Sequence, residues 1–266
     1  MLLAAASIGS AVCCTAAEDD KKSDDADWSA GVGAQYESGR YGRAQRTRQW
    51  TFPVDASYGT DAALFDVSVP YVQLTGPAGS TAGQARHRAN TPRAIVTTQG
   101  VGDSTLSATR FLVDGAESGF SWDIGGIVKF ATGDVHKGLG TGANDTSLLT
   151  TLEQRIADFS LRGTAGRWWL GSAGVENVNG VQENLKFLDP FYATLDGSYR
   201  TGDTSRLGVS YYGEQVAERG GFRQKEATLY GRFDTSKSTD LRMYLLKGFA
   251  PGSPNRGAGV TFTSWF

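Results

Sequence analysis

Two histidines, His87 and His136, are the only imidazoles in the chain. General-base chemistry near neutral pH would therefore run through one of them. Ser80 and Ser147 stand within reach in sequence as nucleophiles, and Asp134 or Asp145 could orient a ring. Such a set would make a serine hydrolase. No G-x-S-x-G elbow is present, and both histidines sit in segments with loop character, where a solvated surface residue is the ordinary outcome. The run GLGTG at 138–142 could cradle a phosphate, but that use needs a strand before it and a helix after it. The segment DTSLLTTLEQRI, at 145–156, reads as another strand. The glycines serve better to let a loop fold tightly back. No cofactor, no metal site and no catalytic residue is expected, and a lipid hydrolase stays only as a third reading. Nucleic acid is not an expected partner, because no basic and aromatic residues interleave along a groove.

The chemistry that remains is charge, and it is spread over almost the whole chain. Asp55, Asp66, Asp103, Asp123, Lys129, Glu153, Arg155, Arg162, Asp196, Arg200, Arg206, Tyr212, Glu214, Glu226, Tyr230 and Arg232, followed by Asp234, fall on the polar face of alternating segments. From Trp28 onward the hydrophobic period is two. Trp28, Ala30, Val32, Ala34 and Tyr36 alternate with small or polar residues, as do Trp50, Phe52, Val54, Ala56 and Tyr58, then Phe65, Val67, Val69 and Tyr71. The same pattern recurs near 100–113, 119–131, 146–156, 159–170, 190–200, 205–215, 225–234, 240–250 and 257–266. That predicts twelve strands, most near the length of about 9–11 residues that a tilted membrane strand needs.

Connections sort by parity. GTDA (59–62), DGAES (114–118), AD (157–158), GDTS (201–204) and SKSTD (235–239) are short turns, while 37–49, 73–99, 132–145, 171–189, 216–224 and 251–256 are longer. Alternate long and short connections define an up-and-down antiparallel transmembrane β-barrel of the bacterial outer membrane. An even strand count puts both termini in the periplasm. Trp28, Tyr36, Trp50, Tyr58, Tyr71, Trp122, Phe130, Trp169, Phe191, Tyr199, Phe249 and Phe266 fall near strand ends, where interfacial girdles sit. A secreted β-sandwich would also alternate, but it would be richer in Val, Ile and Leu and would not sort its loops by length; Ile occurs only 5 times.

The segment before the barrel divides in two. Residues 1–17 are apolar and small, and read as a signal peptide, although no basic residue precedes the run. Residues 18–27, EDDKKSDDAD, read as an acidic disordered leader. Residues 28–266 form the barrel domain. Cleavage after Cys13 and Cys14 would leave no cysteine, hence no disulfide.

Formal net charge is only −2, but the charges sort by side. Arg40, Arg43, Arg46, Arg48, Arg86, Arg88, Arg93, Lys137, Arg219, Arg223, Lys225 and Arg256 crowd the long loops, and Asp61, Asp114, Glu117, Asp158, Asp203 and Asp240 the short turns. The arginines at 40, 43, 46 and 48 would form a basic mouth, binding lipopolysaccharide phosphates or concentrating anionic solutes.

Particular words in the sequence also resemble a family. SVPY (68–71), GVGD (100–103), KFATGD (129–134) and GLGTGANDTS (138–147) follow the order and spacing of the outer-membrane transporters associated with phenol-degradation operons, the phenol MetA-pathway proteins. Phe130 and Ala131 replace that family's Leu-Pro, and Thr146 replaces its Tyr. The resemblance implies an outer-membrane channel for small hydrophobic or aromatic compounds. The expected function is passive conduction of small solutes (aromatic, hydrophobic or anionic) through a monomer. The alternative is a plugged barrel with a structural or interaction role in the envelope.

The chain ends on Phe266, in phase with Phe262 and Val260. A terminal lipid-facing aromatic is what the outer-membrane assembly machinery reads, so Phe266 is the expected assembly signal. Phe266→Asp should reduce insertion and leave periplasmic aggregate. Membrane fractionation and heat-modifiability on gels check this, and parental yield of the inserted form would refute it.

Overall fold

Strand alternation governs every long element of the computed structural model, which describes residues 28–82, 94–115, 118–172, 174–176, 182–184, 187–217 and 221–266. The signal peptide, the acidic leader, Arg86, His87, Arg88, Arg93, Glu117 and Arg219 lie outside the described residues. The strands are β1 (Trp28–Gly39), β2 (Thr47–Gly59), β3 (Ala63–Pro77), β4 (Ile95–Val101), β5 (Ser104–Val113), β6 (Phe120–Phe130), β7 (Asp145–Ile156), β8 (Phe159–Trp169), β9 (Gly174–Glu176), β10 (Gln182–Asn184), β11 (Phe191–Gly202), β12 (Ser205–Glu214), β13 (Gln224–Ser236), β14 (Thr239–Gly248) and β15 (Arg256–Trp265). Among the described residues there is no helix.

All but β9 and β10 belong to one antiparallel sheet that closes on itself. The seam joins β1 to β15 from Ser29↔Trp265 to Ser38↔Arg256. The result is a twelve-stranded barrel with one extra strand. Its irregularity lies where the periodicity predicts a single strand over 100–113. There β4 pairs with the upper half of β3, Tyr71 to Pro77, while β5 pairs with the lower half, Ala63 to Ser68. The break falls at Gly102–Asp103, because the Asp103 carboxylate turns aside to accept amides of the β6–β7 loop. β9 and β10 form a small hairpin in the connection between β8 and β11, a stretch that the periodicity reads as loop.

Burial and register agree on which face is which. Val32, Val54, Val67, Leu106, Leu152, Leu195, Leu229 and Leu245 are exposed on the outer wall. Their neighbours Gln35, Thr51, Thr151, Thr164, Ser198 and Ser210 are buried on the inner one. Outer aromatics cluster at two heights on the same strand pair: Trp28 against Tyr58 (centroids 4.8 Å apart) and Tyr36 against Trp50 (5.0 Å). Eight residues of β1 separate these contacts, about 27 Å along the strand, or about 19–22 Å along the membrane normal at the usual tilt, close to the apolar band of about 25 Å. Arg110 faces outward near the short-turn end, opposite Ala63 and Ile124, where its stem can lie along apolar surface and its head reach water.

Inside, three tyrosines lie flat over glycines of the next strand. Tyr192 pairs with Gly166, Tyr230 with Gly208 and Tyr244 with Gly259. A Cβ added at any of the three glycines would collide with the partner ring. The missing side chains let large inward rings fit a narrow interior, and the rings shield the bare backbone in return.

The two faces should respond differently to charge. Val54→Arg or Leu195→Arg should destabilise by about 2–4 kcal/mol near the bilayer midplane, and Asp55→Asn by far less. Denaturant unfolding in lipid vesicles measures both, and equal costs would contradict the face assignment.

Candidate functional site

The barrel interior carries the polar residues, and its two ends differ. Toward the long-loop end it is packed with rings. Trp168, 1% exposed, Tyr192, Tyr212 and Ile127 form a buried cluster with Leu149 and Leu170 against it. Trp168 and Tyr192 centroids lie 6.0 Å apart, and Tyr192 and Tyr212 6.3 Å. Three buried carboxylates, Glu37, Glu214 and Glu226, share this end, each with one oxygen lacking a hydrogen-bond partner. Tyr212 donates to Glu214. Above them the loop residue Tyr41 packs with Ala217. Burial, with Glu37 and then Glu226 nearby, pushes the Tyr41 phenol well above its ordinary range, so it stays a neutral donor.

Lys129 organises the adjoining corner. It is 1% exposed, and its ammonium lies 3.0 Å from Asp103 and 2.6 Å from Asp145, the latter off the ideal hydrogen-bond direction. It also donates to Thr141. Asp103 further accepts from the Gly133 amide (3.0 Å) and the Thr141 amide (2.9 Å), and Asp145 from the Gly171 amide (2.9 Å). One buried cation thus anchors the β6–β7 and β8–β11 loops to the wall. The GLGTG run is the anchored part. Gly138 adopts φ +72, a left-handed turn, and its carbonyl accepts from the Ala82 amide. Leu139 is buried against Val72 and Ala82 on the lumen side.

Toward the short-turn end the charges divide by wall. Asp55, Asp66 and Asp123 line β2, β3 and β6. Asp55 bonds Ser68, and Asp66 accepts from Ser107 at 2.8 Å. On the other wall each of β7, β8 and β11 to β14 contributes one inward arginine: Arg155, Arg162, Arg200, Arg206, Arg232 and Arg242. Glu153 binds both Arg155 (2.9 Å) and Arg162 and accepts from Ser160. Asp240 lies 2.8 Å from Arg232, and Asp196 accepts from Tyr230 at 2.9 Å. In the closed twelve-strand order β2, β3 and β6 stand opposite β11, β12 and β14, so the two sets of charge face each other across the lumen.

The expected lumen positions that fall within strands turn inward, whereas Asp103 sits at the break between β4 and β5 and is held by loop amides; other assignments change as well. Arg48 is not at the mouth. β2 begins at Thr47, so parity turns Arg48 outward with Trp50 and Phe52, whereas Arg40, Arg43 and Arg46 stay in the loop. Arg43 reaches Ser80 (3.1 Å) and Arg46 reaches Ser38 (3.1 Å). Asp240 is not a solvated turn residue but a buried partner of Arg232. Glu37, Trp168, Tyr192 and Arg242 are inner-wall residues that the sequence reasoning missed. Arg242 was available, because placing Leu241, Met243 and Leu245 outside puts it inside; the twin tryptophans 168 and 169 likewise split between the faces.

Among the described residues the candidates for a hydrolase are not assembled. Ser147 bonds the Tyr192 hydroxyl (3.1 Å), Asp145 is held by Lys129, and His136 is exposed on a loop. Asp134 accepts from the His136 and Lys137 amides, and chiefly the Lys137 amide holds its carboxyl below the ordinary range. Among the described residues no group of three His, Cys, Asp or Glu side chains is arranged to hold a metal ion.

No family model and no curated protein sequence matches this chain. Its fold does match solved outer-membrane barrels. The COG4313 outer membrane channel from Pseudomonas putida F1 aligns with a TM-score of 0.73 at 13% identity, over 94% of this chain and 98% of that one. The translocator domain of the autotransporter NalP from Neisseria meningitidis aligns at 0.58 and 12% identity, covering 99% and 96%. The NanC porin aligns at 0.55 and 9%, covering 89% and 99%. Identities this low establish the shared fold, and a barrel shared by channels and an autotransporter domain does not by itself decide the function.

Lys129→Met should cost about 3–5 kcal/mol, because it strands two buried carboxylates. It should also free the β6–β7 loop to proteolysis. Urea unfolding in vesicles and limited digestion test this, and an unchanged midpoint with an uncut loop would contradict the anchoring role.

Proposed function

We propose that this protein is an outer-membrane channel that passes small solutes passively, with the long loops outside the cell and both chain ends in the periplasm. One observation carries the reading: the inner wall is charged on nearly every strand, with carboxylates alone toward the short-turn end of β2, β3 and β6 and arginines interspersed with carboxylates on the facing β7 to β14 wall. A barrel needed only as a scaffold would lose nothing by an apolar interior, since replacing buried ion pairs by packed hydrophobics is often neutral or stabilising. A lumen that must admit polar solutes needs the charges. The likeness to the Pseudomonas channel and to the NanC porin supports this reading. So does the resemblance of the GVGD, KFATGD and GLGTG words to the transporters of phenol-degradation operons, which adds aromatic or hydrophobic compounds to the solute classes. Transport of this kind uses no cofactor and no covalent chemistry.

The remaining partners are set by position. Arg40, Arg43 and Arg46 meet lipopolysaccharide phosphates or incoming anions at the mouth, and Arg48 meets the same headgroups from the outer wall. Phe266, 68% exposed, is offered to the assembly machinery. The barrel works as a monomer.

One observation favours the plugged alternative: Trp168, Tyr192, Tyr212 and Ile127 pack together inside the long-loop half. Planar bilayers separate the two readings. The channel reading expects discrete current steps that grow in Trp168→Ala and Tyr212→Ala. No steps from parent or variants would leave the plugged reading. Selectivity gives a finer check. The mouth arginines should produce weak anion preference at 0.01 M salt, where the Debye length is about 30 Å, fading near 1 M, where it is about 3 Å. Neutralising Arg40, Arg43 and Arg46 together should remove that preference in reversal-potential measurements.

A further inference from the structure

Four lumen arginines stand in direct cross-strand register. Arg200 on β11 is opposite Arg206 on β12, Arg206 is opposite Arg232 on β13, and Arg232 is opposite Arg242 on β14. Side chains so paired stand about 5 Å apart, and like charges directly opposite are destabilising. Three successive repulsive pairs are therefore built into one row. Carboxylates stand among these arginines, Asp234 and Asp240 beside Arg232, and Arg206 also donates to Ser198 (3.1 Å), yet the like-charge register runs unbroken over four strands.

A second observation points to a ligand. The Arg232 side chain is 8% exposed, and its terminal Nη2 is buried with no hydrogen-bond partner, although Asp240 lies beside its Nε. A buried charged donor left unsatisfied is costly. The row runs along the wall at the short-turn end, from exposed Arg200 through half-buried Arg206 to buried Arg232 and Arg242. Aromatic rings flank its inner end: Arg232 lies 5.7 Å from the Trp265 ring and Arg242 4.6 Å from the Tyr230 ring.

We infer that this row is a binding ramp for a small organic carboxylate with a flat apolar body. Guanidinium forks match a carboxylate in two-point hydrogen bonds and stack on flat faces. An incoming carboxylate would relieve the repulsion along the row and give Arg232 an acceptor. Several adjacent arginines, rather than one deep site, would let the anion pass from one to the next without being trapped.

The inference deepens the channel reading, and its test is binding, which does not depend on conduction. Benzoate is titrated into the detergent-folded whole protein by calorimetry and by tryptophan fluorescence, since Trp265 adjoins Arg232. Benzoate should bind, benzylamine should not, and inorganic phosphate should bind more weakly than benzoate. Arg206→Gln and Arg242→Gln should each weaken benzoate about tenfold. Arg206→Gln should also leave the urea midpoint equal or higher, because it removes a like-charge neighbour; a purely structural arginine would lower it. Unchanged benzoate affinity in both variants, benzylamine binding as tightly, or phosphate binding as tightly would each overturn the ramp. Absence of current in the parent protein would instead sink the channel reading and leave the binding result standing.

Discussion

Closure of the wall is the constraint on which every other feature depends. Inside hydrocarbon, every unsatisfied backbone N–H or C=O costs several kcal/mol, so a membrane sheet cannot keep an edge. The β1–β15 ladder removes that edge over ten residue pairs, and the Phe266 amide extends it by donating to the Trp28 carbonyl at 3.0 Å. A closed sheet has one outside and one inside, so alternation along each strand becomes a sorting of the whole sequence: apolar side chains toward lipid, polar ones toward the lumen. Among the described residues of the barrel sheet, β4 is the strand whose ladder has one partner, β3. It lies at the long-loop end, where β6 has already ended at Phe130.

The lumen solves two different problems at its two ends. Near the long loops the inner face must seat inward-folded loops, and it does so with rings, among them Tyr192 over Gly166, and the Lys129 anchor. Near the short turns it sets an acidic wall on β2, β3 and β6 against a wall of paired arginines and carboxylates on β7 to β14. The same strand pairings that permit the first arrangement impose the second, since the inner residues of one strand pass through both zones.

Charge inside the barrel comes in two kinds. Lys129 is compensated by Asp103 and Asp145, whose remaining oxygens take backbone amides. A cation so completely surrounded acts as a clamp. The arginines from 200 to 242 stand side by side in direct register, and like charges so placed lower stability. The two arrangements differ in geometry, although both would count alike in composition.

The sequence by itself determined the class of the fold. A two-residue period over most of the chain from Trp28 to Phe266, loops sorted by length, and aromatics at strand ends permit little besides a membrane barrel, and within a strand they tell which residues share a face, because side-chain direction there is a local property. What alternation cannot express is who meets whom across strands. The direct opposition of Arg200, Arg206, Arg232 and Arg242 depends on turn lengths and bulges such as those at Arg200/Gly202 and Asp234/Ser236. The Lys129 anchor joins residues from four different segments, and the split of one strand into β4 and β5 arises from Asp103 leaving the wall to join it. The inward turn of Arg242 and outward turn of Arg48 rested on strand starts and phases that shift with a single residue. Tertiary structure decided these points because register is fixed only when the sheet closes, and a slip of one residue exchanges the two faces.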